Sequence, residues 1–166
     1  MPQLFNMLKI KFISVGSLSE RFFREGVDEY KKRLSLTCKV EECEIRETKI
    51  SKNPTDGEIR QVLENEAEKI LEQIPQRSFC VALCIEGKQL SSPELASLIE
   101  TKAAEGFSNI CFIIGSSHGL SDKVKNYCNA RISMSRLTFP HQLARLMLFE
   151  AVYRATEINR GTKYHK

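Results

Sequence analysis

The chain lacks apolar runs of membrane-spanning length: stretches such as Phe79–Ile85 and Ile110–Ile114 are far too short to cross a bilayer. It also lacks a basic segment or cleavage site in Met1–Asn6, so no secretory leader is expected. Those six residues read as an N-terminal extension ahead of a single domain over 7–166. Repeats, linkers and low-complexity segments are missing as well. With 42% hydrophobic and 28% charged residues in a chain of 166, a disordered protein is excluded and one well-filled core is expected. Paired CxxC cysteines are absent too. Cys38, Cys43, Cys80, Cys84, Cys111 and Cys128 are scattered, mostly within apolar segments, and the three histidines lie far from them in sequence. Reduced thiols acting as small hydrophobes, no metal and a cytoplasmic setting are the expectations.

Charge is present but unevenly spread. Residues 41–72 hold ten acids and five bases. Residues 136–166 hold six bases (Arg136, Arg145, Arg154, Arg160, Lys163, Lys166) against Glu150 and Glu157, an excess equal to the net +4 of the whole chain. A cationic end on a nearly balanced domain suits an anionic partner, and a solvated basic helix explains it equally well.

Strand-like and helical patterns alternate along the chain. Leu8–Val15 reads as a strand ending at Gly16, and Ser19 can cap a helix through about Leu34. Cys38–Ile45 reads as a strand with an acidic face, and Arg46–Thr55 as a polar loop. Thr55 and Glu58 have capping-box spacing at the start of a helix that stops before Pro75. Phe79–Ile85 and Ile110–Ile114 suit strands buried on both faces. Ser92-Pro93 opens a helix, a short helix starts near Ser121, Arg131–Met134 is a strand, and a long helix runs from about Pro140 to Ile158. Leu143, Leu146, Met147, Ala151 and Ala155 are expected to face inward on it. The alternation implies α/β architecture with a mostly parallel sheet flanked by helices. Ligands in such sheets sit beyond the carboxyl ends of the strands, which singles out the loops Glu86–Lys88, Gly115–Gly119 and Ser135–Phe139.

Three segments carry chemistry. Gly115-Ser116-Ser117-His118-Gly119 follows a buried strand, and Gly115 allows a ligand close to the backbone; it is neither GxGxxG nor a Walker loop, and a plain turn explains it as well. Met134–Gln142 mixes hydroxyls, Arg136, Leu137, Phe139, Pro140 and His141. Its main chain can grip an adenine edge against an apolar wall, while a proline-primed helix start with a hydrogen-bonded His141 is the plainer alternative. On the last helix, Arg154 can hold a phosphate or a reacting base, or simply pair with Glu150 four residues earlier. The tail unites Arg160, Lys163, Tyr164, His165 and Lys166, groups able to stack on or neutralise RNA.

Taken in order, Val15-Gly16, Leu83…Gly87-Lys88, Ile114-Gly115…Gly119-Leu120-Ser121, Thr138-Phe139-Pro140-His141-Gln142, Tyr153-Arg154-Ala155 and the terminal Tyr164-His165-Lys166 resemble the RlmH family of SPOUT-superfamily methyltransferases, from Met7 through Lys166. The resemblance implies an S-adenosylmethionine-dependent methyltransferase for N3 of a pseudouridine in 23S rRNA of the ribosome. It further implies a SPOUT-type α/β knot (a C-terminal trefoil) and a homodimer, with neither DNA nor membrane as partner. By matching positions, the cofactor contacts are Leu83, Gly115, Met134, Ser135, Arg136, Leu137, Thr138 and Phe139. Arg154, His165 and Tyr164 are the expected catalytic residues, and His141, Arg145, Lys163 and Lys166 the expected RNA contacts. Two positions depart from the family pattern: Cys84 stands where an acidic residue is common, and Ser116 where a second glycine is common. Two alternatives stay open: a SPOUT enzyme for another rRNA or tRNA position, and a non-catalytic ribosome-binding protein.

Overall fold

Strands that alternate with helices must run parallel, because each helix returns the chain to the starting edge. A computed structural model describes residues 8–166; the extension Met1–Asn6 and Met7 lie outside them. The elements are β1 (Lys9–Val15), α1 (Arg21–Leu34), β2 (Lys39–Ile45), α2 (Asp56–Gln73), β3 (Ser78–Gln89), α3 (Ser92–Ala104), β4 (Asn109–Ile114), α4 (Asp122–Tyr127), β5 (Ala130–Ser133) and α5 (His141–Asn159). The five strands form one sheet in the order β2-β1-β4-β3-β5, every pair parallel.

Strand alternation sorts the apolar residues into two layers. Ile10, Phe12, Val81, Ile110 and Phe112 meet α1, α3 and α5 on one face. Ile13, Val15, Cys80, Ala82, Cys111 and Ile113 meet α2 and α4 on the other. Phe149 of α5 stacks on Phe12 with ring centroids 3.8 Å apart, and Phe12 in turn stacks on Phe112 at 5.7 Å. The inward face of α5 is therefore Leu148, Phe149, Val152 and Ala155, whereas Leu143, Leu146, Met147 and Ala151 are half-buried. The stripe is rotated from the expected one because Phe149 takes the position over the centre of β1. All six cysteines are free thiols. Burial pushes the Cys128 thiol up to about 12, so it stays protonated and behaves as a small apolar group.

Three boundaries differ from expectation. Glu20, without a side-chain cap, precedes α1; Ser19 instead donates its backbone amide to Gln142 Oε1 of α5 at 2.9 Å. Ser91 rather than Ser92 caps α3, in a reciprocal box with Glu94. The largest difference is β3, which continues through the expected loop Glu86–Lys88 to Gln89. Its pairing with β5 breaks after Leu83 and resumes at Lys88, with Ile132 the register partner of both. Gly87 makes this possible, since a Cβ there would lie 2.5 Å from the Ile132 carbonyl carbon.

Candidate active site

Leu83 stands at the centre of the cofactor residues expected from sequence. In register it lies between Ile114 of β4 and Ile132 of β5, so the segments beginning at Gly115 and Met134 leave the sheet on either side of it. Gly115 and Ser116 are buried, Leu83, Met134, Ser135 and Phe139 half-buried, and Arg136, Leu137 and Thr138 exposed. Three stretches distant in sequence thus share one end of the sheet. This is the crevice position where parallel α/β sheets take ligands.

Each loop is held by its own hydrogen bonds. A Cβ on Gly115 would come 2.3 Å from the Gly119 carbonyl oxygen, so the glycine is required by the closure of this loop on itself. Gly119 takes φ +85 and donates its amide to the Ser116 carbonyl at 2.9 Å, while the Ser116 Oγ accepts the His118 amide at 3.3 Å. Arg77 is the one non-glycine residue with positive φ among the described residues, so Ser116 fits the place of the family's second glycine without strain. In the next loop, the Ser133 hydroxyl donates to the Ser135 carbonyl at 2.9 Å and the Ser135 Oγ accepts the Leu137 amide at 3.0 Å. Leu137 is left 71% exposed, an apolar side chain with no cover from its own chain. At the other departure, burial and then Glu86 push the Cys84 thiol up, leaving a neutral group beside Leu83.

α5 enters this end of the sheet and then leaves it. A Cβ on Gly16 would lie 3.9 Å from His141 Nε2, which sets the first turn of α5 beside the end of β1. Arg154 lies thirteen residues further along, about 20 Å of helix. There Arg154 Nε and Nη2 hold Glu150 Oε1 at 3.0 and 2.6 Å, and Nη1 lies 3.3 Å from His165 Nδ1. The Tyr164 hydroxyl donates to the same Glu150 oxygen at 3.2 Å, and the Arg154 guanidinium sits 4.7 Å from the Tyr164 ring centroid. Burial, the Tyr30 hydroxyl and Glu150 push the Tyr164 phenol up to about 12. The chain therefore brings the expected cofactor residues together at one end of α5, and Arg154, Tyr164 and His165 together at the other.

The expected RNA contacts divide as well. Lys163 and Lys166 are exposed and make no ion pair among the described residues, and His141 is half-buried in the first turn of α5. Arg145 is different: its side chain is 3% exposed. It pairs with Glu42 and, at 2.9 Å, with Glu44, and Nη1 donates to the Gly16 carbonyl at 3.4 Å. Its charge is engaged inside the protein by these partners, unlike that of Lys163 and Lys166. The acidic face expected on β2 supplies these partners, because Glu42 and Glu44 alternate onto the side where α5 packs. Tyr30 and Arg33, which pack with Tyr153 beside Tyr164, went unmarked by motif.

A groove of about 510 Å³ lies beside this ion pair, lined by residues including Ser17, Arg24, Asp28, Lys31, Glu42 and Glu44; one of about 390 Å³ lies over Gly16, Arg46 and Glu47. Neither is lined by Leu83, Gly115 or 134–139. Among the described residues, no group of three or more His, Cys, Asp or Glu side chains is placed to hold a metal ion. No helix there is long and apolar enough to cross a membrane.

A parallel α/β domain that gathers Leu83, Gly115 and residues 134–139 at one end of its sheet is the class defined by this geometry. The family model described as "Predicted SPOUT methyltransferase" matches residues 8–165. Curated relatives named "Ribosomal RNA large subunit methyltransferase H" include those of Oenococcus oeni, 43% identical over 160 residues, and Clostridioides difficile, 45% identical over 159. A third, from Streptococcus gordonii, is also 45% identical over 159 residues. Each alignment covers 96% of this chain and all of the relative. The chain belongs to the SPOUT methyltransferase family.

Proposed function

We propose that the protein is a cytoplasmic, S-adenosylmethionine-dependent methyltransferase that acts as a homodimer on N3 of a pseudouridine in 23S rRNA, within the ribosome. The convergence of Leu83, Gly115 and residues 134–139 carries this reading. The crevice suits the cofactor chemically. Leu83, Leu137 and Phe139 offer apolar surface, and the loop backbones around them offer hydrogen-bonding groups for a nucleoside. When bound, S-adenosylmethionine supplies an electrophilic methyl group on a sulfonium, which needs no metal.

The chain's own residues must align the nucleophile and manage its proton. N3 of the base carries a hydrogen, so transfer is favoured by groups that stabilise the anion left on its removal. Arg154 and His165 suit that task. A guanidinium can only donate, so the 3.3 Å approach of Arg154 Nη1 makes His165 Nδ1 the acceptor and leaves the imidazole proton on Nε2. His165 then presents an N–H to the base, beside the Arg154 charge. Tyr164 keeps its proton at neutral pH and fixes the Glu150 carboxylate that orients Arg154. Lys163 and Lys166 supply positive charge for the RNA backbone.

A second copy completes the site in this reading. About 20 Å of α5 separates the two residue sets within one chain, so the tail of one protomer serves the crevice of its partner. The exposed Leu137, Ile85 and Phe22 side chains are consistent with an interface. The trefoil knot belongs to the same proposal. Its support is the path of the chain, which passes along β5 against the doubled pairing of β3 and crosses from the α2–α4 face to the α1–α3–α5 face. Transfer of a tritiated methyl group to whole ribosomes, with weaker transfer to free rRNA, is the test. Absence of transfer to either substrate by cofactor-bound protein would overturn the activity.

A further inference from the structure

The C-terminal tail is shaped by residues on α1 that no motif or family position marks. Tyr30 and Arg33 are three apart and share one helix face. The Arg33 guanidinium carbon lies 5.3 Å from the centroid of the Tyr30 ring and 5.7 Å from that of Tyr153 on α5. Glu29 holds Arg33 Nε at 3.0 Å, which fixes the guanidinium over both rings. Tyr30 meets Tyr153 at 5.9 Å, and Tyr153 meets Tyr164 edge-on at 4.8 Å. The series ends with Arg154 over Tyr164 and against His165. Two helices and the tail are therefore joined by an unbroken run of stacked groups.

We propose that Tyr30 and Arg33 are positioning residues for methyl transfer: they form a socket that seats Tyr164 and so presents Arg154 and His165 in one geometry. This rests on the assignment of those two groups to the target base. Beyond Gly161, at φ +70, the chain has left α5, and a short basic terminus is mobile unless it is tied down. Thr162 supplies one tie, its hydroxyl donating to Glu157 Oε2 at 2.6 Å. The aromatic seat supplies the other, two residues further on. Removing it leaves Lys163, His165 and Lys166 on the chain but with their directions unfixed, and a misplacement on the order of 1 Å is enough to slow a reaction about a hundredfold. Arg33 acts through Tyr153 and Tyr164 and does not touch the base.

Steady-state methylation of ribosomes by full-length Arg33→Met and Tyr30→Phe, beside Arg154→Ala, tests this. Calorimetry with S-adenosylmethionine and amide exchange of residues 162–166 accompany each variant, and Tyr30→Phe keeps the test open should Arg33→Met fold poorly. For Arg33→Met the expected result is a fall in kcat of about tenfold or more, with the KM for ribosomes and the cofactor Kd within about twofold of the parent. Faster exchange at 162–166 should accompany it, and Arg33→Lys should recover part of both. Unchanged kcat, unchanged tail exchange, or a loss confined to KM (the mark of a direct RNA contact) would overturn the socket. Full turnover by Arg154→Ala would instead overturn the assignment beneath it, whereas an inactive Arg154→Ala with a fully active Arg33→Met would overturn the socket alone.

Discussion

Gly87 and Ile132 touch backbone to backbone: a Cβ on Gly87 would lie 2.5 Å from the Ile132 carbonyl carbon and 2.7 Å from its amide nitrogen. No flexible side chain stands between them, so an added methyl must displace β3 or β5. Gly87→Ala should lower stability by about 1–3 kcal/mol. Because Met134 follows Ile132 by two residues, the same change should weaken S-adenosylmethionine binding. Thermal melts and calorimetry on one preparation check both.

Arg145 should matter for stability and not for RNA. Its removal leaves Glu44 without a cation and Glu42 with only Lys31, at 3.5 Å, and breaking a buried pair from one side costs about 3–5 kcal/mol. Glu44 is partly exposed, which places Arg145→Met near the lower end of that range. Denaturant titration should show the loss, while rRNA affinity and its salt dependence stay at the parent values.

Glu66 gives stability a pH dependence. Its side chain is 1% exposed with both carboxylate oxygens unpartnered, and burial, then Glu47, raise its pKa from 4.5 to about 7. Between those values the folded state binds more protons than the unfolded chain, so this group's contribution to stability falls as pH rises through that window. Glu66→Gln removes the dependence. The variant should match the parent near pH 4.5 and gain up to about 3 kcal/mol above pH 7. Melting curves of both proteins across that interval test the sign.

Lys163 and Lys166 should supply electrostatic affinity without setting the rate. Alanine at both positions should flatten the plot of log affinity for rRNA against log salt by about 0.7 for each phosphate that is no longer neutralised. The turnover number at saturating ribosomes should change little. Binding titrations at several salt concentrations provide the check.

The legible parts of this molecule were those written in short-range pattern. Continuous apolar runs marked β3 and β4, and Thr55 with Glu58 marked the start of α2, where Thr55 accepts the Glu58 amide. The segment Glu86–Lys88 reads as a turn by pattern because strand or loop there depends on Ile132, which the chain reaches only 45 residues after Gly87. The pairing of Arg145 is hidden for the same reason, since its partners on β2 lie about a hundred residues away. The Glu150–Arg154 pair could be foreseen from helical spacing; the seating of Tyr164 among Tyr30, Tyr153 and Arg154 could not, because it joins two helices and the tail.

Amide hydrogen exchange with and without S-adenosylmethionine tests the cofactor crevice most directly. Slowed exchange concentrated at residues 83–87, 115–120 and 134–139 is the expected outcome. Slowing centred instead on Ser17 and residues 44–47, the groove beside β2, with the three loops unaffected, would contradict a methyl-donor site built around Leu83.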